Sequence, residues 1–63
     1  MHNHDKVIEK MTMLRDRVLH SPLDNTKDLI WCKRMVSDVK DSGLVPNKEE
    51  FTMANLMWRK YAN

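Results

Sequence analysis

Apolar residues recur at helical spacing along the first third of the chain, from about residue 5 to residue 20. Intervals of four, three and four residues place four of them on one stripe at roughly 100° per residue, namely Val7, Met11, Leu14 and Val18. Ile8 and Leu19 lie at the edge of this stripe, and Met13 lies off it. The pattern predicts an amphipathic helix whose stripe is turned towards a core.

A helix break and a restart occupy residues 21–25. Ser21 suits an N-cap with Pro22 at the first helical position, but Asp24 or Asn25 suits the cap equally well. The first residue of the second helix is therefore defined only to within one helical turn. The inward stripe of this second helix comprises Leu29, Cys32, Val36 and Val39, widened on one side by Trp31 and Met35. Gly43, the only glycine, suits a left-handed C-terminal cap and predicts a helix end near Ser42.

A third helix is predicted after the segment Leu44-Val45-Pro46, which should be extended because the residue before a proline disfavours α geometry. Asn47 and Glu50 have the three-residue spacing of a capping box. One face of this helix carries Phe51, Ala54, Trp58 and Tyr61, and nearly the opposite face carries Met53 and Leu56. A helix that is apolar on two faces tends to be buried on both.

The apolar residues outside the inward stripes exceed what one chain of 63 residues can cover. Because two-fold dimers are the commonest oligomers, we predict a mainly α fold, a small helical bundle-like homodimer with two to three helices per chain. Residues 1–63 should form one domain, with residues 1–4 as a frayed terminus. The predicted dimer interface or partner groove consists of Met13, Ile30, Trp31, Met35, Met53 and Leu56. The predicted core consists of Val7, Met11, Leu14, Val18, Leu29, Cys32, Val36, Val39, Phe51, Trp58 and Tyr61.

Groups that could perform chemistry are few in this sequence. One cysteine excludes an internal disulfide, and three scattered histidines do not complete a zinc ligand set, although His2 and His4 are close in sequence. Cys32 lies on the inward stripe, where a thiol behaves as a small hydrophobe, and the pair Glu49-Glu50 is explained by its place in a first helical turn. We therefore expect a protein that is not an enzyme, holds no metal or cofactor, and acts by binding a partner.

Charge neither demands nor forbids nucleic acid as that partner. Eleven basic and nine acidic residues are well mixed and give a net charge of +2. The pairs Lys33-Arg34 and Arg59-Lys60 suit phosphate contacts or simply a solvated face. The second and third helices with their short connection leave a small helix-turn-helix-like DNA-binding regulator as the alternative. No apolar run is long enough to span a membrane, and the lone cysteine favours a reducing cytoplasm.

The chain as a whole resembles the small early proteins of lambdoid bacteriophages that are encoded between the exonuclease and excisionase genes. The resemblance rests on the length, on the start MHNHDKVIEK and on the end MWRKYAN. It implies a non-enzymatic accessory in the host bacterial cytoplasm that biases phage development toward lysis over lysogeny. It also implies a dimer of helices with a short strand, for which Leu44-Val45, paired with its symmetry mate, is the best place and the first segment is the second choice. An amphipathic helix docked in an apolar groove is a candidate form of the unknown host or phage partner.

Overall fold

A computed structural model describes residues 4–62 of the protein, which form three α-helices. These are α1 (His4–Leu19), α2 (Thr26–Lys40) and α3 (Lys48–Lys60). The most extensive interface is between α1 and α2, while α3 makes a smaller contact that is mainly with α1. The predicted mainly α fold is confirmed.

The core lies where the three helices meet. Its buried side chains are Val7, Met11, Leu14, Val18, Cys32, Met35, Val36, Val39, Ala54, Met57 and Tyr61. Leu29, Phe51 and Trp58 were predicted as core residues and are partly buried against this cluster. Leu14, Val18 and Val39 have no measurable exposure, so the centre of the core lies between α1 and α2.

The α1–α2 connection is held by the side chain of Asn25. Asn25 is the N-cap residue of α2, but its side chain makes no bond to that helix. Its Nδ2 instead donates to the backbone oxygen of Val18 in the last turn of α1. Val18 O also accepts from Ser21 N at 3.2 Å, so the Asn25 amide is a second donor to this carbonyl at the end of α1 and links the cap residue of α2 to that helix. Ser21, another of the three predicted caps, accepts a bond from Leu23 N at 3.1 Å within the connection.

The α2–α3 connection follows the predicted turn chemistry. Gly43 has a φ of 67°, in the left-handed region that favours glycine, and Leu44 N donates to Asp38 O at 3.0 Å across it. Asn47 and Glu50 form the predicted capping box, which is confirmed. Glu50 N donates to Asn47 Oδ1 at 2.9 Å, and Asn47 N donates to Glu50 Oε1 at 2.8 Å.

One prediction about irregular segments needs correction, and another is not tested by a single chain. Leu44 and Val45 are not part of a strand within residues 4–62, and their predicted pairing with a symmetry mate stays a prediction. The first segment, the second choice for a strand, is helical. His4, assigned to a frayed terminus, instead begins α1, and its Nε2 lies 3.0 Å from Val39 O. Residues 1–3, including His2, lie outside the described part of the chain.

Candidate functional surface

The outer face of α3 carries two exposed apolar side chains, Met53 and Leu56. They are 43% and 55% exposed and lie three residues apart, so they are neighbours on the helix surface. An adjoining face of the same helix, roughly 100° around its axis, buries Ala54 and Met57 in the core. The structure therefore gives α3 two apolar faces and covers only one of them.

Two other residues predicted for an interface or groove are also exposed, but they lie apart from the outer face of α3. Ile30 is 64% exposed on α2, two residues from the buried Cys32, and so lies on the solvent side of its helix. Met13 is 49% exposed on α1 and lines a groove that it shares with Trp58 of α3. The six predicted residues thus do not form one continuous patch.

Met35 and Trp31 were predicted for the same surface, and the structure places both against the core. Met35 is only 4% exposed and is corrected to a core residue. The reason is tertiary, since Met35 belongs to the buried cluster where the helices meet, and Leu44, Val45 and Pro46 of the following connection line a small pocket with it. Trp31 is partly buried and packs against the core cluster. The widened stripe of α2 is therefore covered largely by the chain itself.

A polar cluster joins the start of α2 to the end of α3. Tyr61 OH and Lys60 Nζ both donate to Oδ2 of Asp28, the lysine at 3.0 Å. The hydrogen bond from Tyr61, followed by that from Lys60, lowers the pKa of the Asp28 carboxyl below its usual value. The pKa of Tyr61 is raised, first because the carboxylate accepts its proton in the hydrogen bond and then because the hydroxyl is desolvated. This cluster fixes the C-terminal end of α3.

Cys32 is the one thiol of the chain, and its surroundings disfavour the reactive thiolate form. Its side chain is 1% exposed, and its Sγ lies 3.6 Å from Met57 Sδ. Burial, assisted by the nearby charge of Asp28, raises the pKa of the Cys32 thiol to about 11. The nucleophilic form of cysteine is the thiolate, which is scarce at neutral pH under these conditions.

Arg17 and Trp58 form the clearest contact between α1 and α3 at the surface. The guanidinium carbon of Arg17 lies 4.8 Å from the centre of the Trp58 ring, within the range of a cation–π interaction. Sequence reasoning placed Trp58 in the core and did not find this contact. It also missed Met57, which belongs to the buried row Ala54, Met57 and Tyr61; the spacings of three and four residues were the signal available.

Residues 4–62 present no candidate metal site and no candidate membrane span. In that part of the chain no three His, Cys, Asp or Glu residues are grouped so that they could hold a metal ion. None of its helices has the length and apolar character needed to cross a membrane. Comparison with protein-family models, curated proteins and solved structures finds no match to this chain. What the protein binds must therefore be inferred from its own surface.

Proposed function

We propose that this protein is a non-enzymatic binding protein that acts as a homodimer and occupies a partner protein. The observation that carries the proposal is the pair Met53 and Leu56, exposed on a face of α3 that the core does not cover. Exposure of apolar side chains to water is unfavourable in free energy, and contact with another apolar surface removes this cost. A second copy of the chain offers the same face and can cover both by two-fold symmetry.

The biological role follows from the resemblance to early proteins of lambdoid bacteriophages. In that setting the dimer acts in the host bacterial cytoplasm and biases development toward lysis by binding a host or phage protein. The apolar side chains exposed on the surface support a binding role. A short strand formed by Leu44-Val45 with its symmetry mate remains part of this proposal, since both residues are exposed.

Sedimentation equilibrium at micromolar concentration tests the dimer. We expect a species of twice the 7.5 kDa chain mass, and monomers for Met53→Asp and Leu56→Asp, because a charge would be buried at the interface. Ile30→Asp is the matched control, because it adds the same charge to a more exposed position on α2. If the wild-type protein sediments only as a monomer, the dimer is excluded. If Ile30→Asp alone dissociates the dimer, the interface lies on α2 instead.

A DNA-binding regulator remains the alternative function, and salt separates it from protein binding. Phosphate contacts make affinity fall steeply with salt concentration, whereas contacts between apolar surfaces are nearly indifferent to it. Of the basic residues considered for phosphate contacts, Lys60 already donates to Asp28. A pull-down from phage-infected cells at two salt concentrations should therefore retain its captured protein at the higher one. Retention of DNA at low salt, with its loss at high salt, would instead favour the regulator.

A further inference from the structure

The groove between α1 and α3 combines apolar side chains with a flank of positive charge. It is lined by Lys6, Glu9, Lys10 and Met13 from α1 and by Asn55 and Trp58 from α3. Met13, half exposed, and the outer part of Trp58 give it an apolar floor. This groove is separate from the outer face of α3. Leu56 and Trp58 come directly before and after the buried Met57, and successive side chains of a helix point in different directions, so Leu56 and Trp58 lie on different sides of Met57.

The positive flank on α1 runs along about three helical turns. Lys6 and Lys10 are exposed and four residues apart, so their side chains are neighbours on one face. Arg17 lies seven residues beyond Lys10, roughly 10 Å further along the axis at a rise of 1.5 Å per residue. Its guanidinium stacks on Trp58, which leaves the in-plane N–H groups of the guanidinium available to a carboxylate.

The α3 side of the groove adds positive charge at helical spacing. Arg59 follows the groove residue Asn55 by four positions, and Lys48 precedes Asn55 by seven, so all three lie along one flank of the helix. Both basic residues are exposed. Glu9 is the one acidic residue among those that line the groove.

Building on the proposed function, we propose that this groove binds an amphipathic helix of a partner protein, whose apolar stripe contacts Met13 and Trp58 and whose flanks carry acidic residues. An apolar floor between two basic flanks is complementary to that arrangement. A flank of about three turns matches a partner helix of roughly 12 to 15 residues.

A single-stranded nucleic acid is disfavoured by the same residues. Stacking on Trp58 would suit a base, but a phosphate backbone needs a continuous basic track. Glu9 lines the same groove and would repel a phosphate. A helical partner can place an uncharged or basic residue opposite Glu9, so the protein partner fits better.

The binding test uses a synthetic 15-residue helical peptide that has leucines along one stripe and glutamates beside them. Its control peptide keeps the leucines and replaces each glutamate by lysine. The protein carries Trp31→Phe, which leaves Trp58 as the fluorescent reporter. We expect the acidic peptide to shift the Trp58 emission and to bind at least tenfold more tightly than the lysine peptide. Equal affinity for both peptides, no binding, or tighter binding of a 15-nucleotide single strand would overturn the proposal.

Three variants locate the binding site. Lys10→Glu and Met13→Asp change exposed side chains, so both should keep the wild-type helical circular dichroism. We expect Lys10→Glu to weaken the acidic peptide about fivefold, as for loss and reversal of an exposed ion pair, and Met13→Asp to weaken it at least tenfold. Lys33→Glu, which makes the same charge change on α2, should bind as the wild type does. If all three variants bind the peptide equally, the groove is not the site.

The dimer provides the readout that separates this proposal from the proposed function. Met53→Asp should lose the dimer and still bind the acidic peptide, because the two faces of α3 are distinct. If the peptide fails to bind while the wild type is a dimer that captures a protein from infected cells, the groove assignment is wrong and the proposed function stands. If the peptide binds but the wild type is monomeric and captures nothing, the groove stands and the proposed function is wrong.

Discussion

Tyr61 donates its hydroxyl proton to the carboxylate of Asp28, and this bond ties the C-terminal end of α3 to the first turn of α2. The two residues are 33 positions apart in the chain. Lys60 donates to the same carboxylate oxygen, and its ammonium group also lies 5.3 Å from the centre of the Tyr61 ring. Because α3 has the smaller helix–helix contact, a polar tie at its end contributes more to its position than it would in a fully enclosed helix.

Replacing Tyr61 by phenylalanine should lower the free energy of unfolding by roughly 1 to 2 kcal/mol at pH 7. This lies at or below the usual range for a hydrogen bond to a charged group, because the Asp28 side chain is partly exposed. Urea unfolding followed by circular dichroism measures the change, and the phenyl ring keeps the packing. Lys60→Gln is the control and should cost less, since Lys60 is exposed to solvent. Equal stability of wild type and Tyr61→Phe would show that the bond does not hold α3.

The contribution of this bond should depend on pH at both ends of the scale. The pKa of Asp28 is lowered in the folded state, so the stabilisation is present above the unfolded value of about 4 and is lost as the pH falls through the folded value. The pKa of Tyr61 is raised, so the stabilisation is complete below about 10 and is lost as the pH rises through the folded value. The stability difference between wild type and Tyr61→Phe should therefore be greatest near neutral pH. A difference that stays constant from pH 7 to pH 3 would contradict the assignment to Asp28.

The capping box at the start of α3 should contribute about 1 kcal/mol through Asn47. Asn47→Ala removes the acceptor for Glu50 N, and the loss of an N-cap side chain typically costs about 0.5 to 2 kcal/mol. In a double-mutant cycle with Glu50→Ala, the combined cost should be smaller than the sum, because the two bonds fix the same turn. Asn55→Ala is the control inside the same helix and should be neutral or slightly stabilising. Thermal unfolding of the four variants gives the comparison.

Alkylation of Cys32 in the folded protein should be slow. With a pKa of about 11 against an ordinary value of 9.0, the thiolate fraction at pH 8 is roughly 100-fold below that of an ordinary thiol, and burial blocks the reagent further. Mass spectrometry after iodoacetamide treatment, with circular dichroism recorded in parallel, measures this directly. The protein in 6 M urea should react at the rate of a free peptide thiol. Rapid modification at full helical signal would mean that the thiol does not face the core.

The local features of this fold could be predicted from the sequence because their causes are local. A helical stripe such as Val7, Met11, Leu14 and Val18 needs only a spacing of three and four residues, and the structure buries all four. The capping box of Asn47 and Glu50 joins residues three apart, and Gly43 takes its left-handed φ for lack of a Cβ. The surplus apolar residues on α3 could be predicted for the same reason, since the faces of one helix follow from its own periodicity.

Only the tertiary structure decided which helix faces the rest of the chain covers. It also decided which distant side chains are in contact. Met35 belongs to the buried cluster formed by the three helices and lines a pocket with Leu44, Val45 and Pro46, and no local spacing encodes that approach. The Asn25 side chain bonds to α1 and not to its own helix, and Asp28 receives donors from residues 32 and 33 positions away. The groove with Arg17 on Trp58 likewise exists only because α3 docks beside α1. The sequence by itself determined the helices, through interactions within a few residues; the packing of α3 decided the surface, because contacts between distant residues depend on how whole helices fit together.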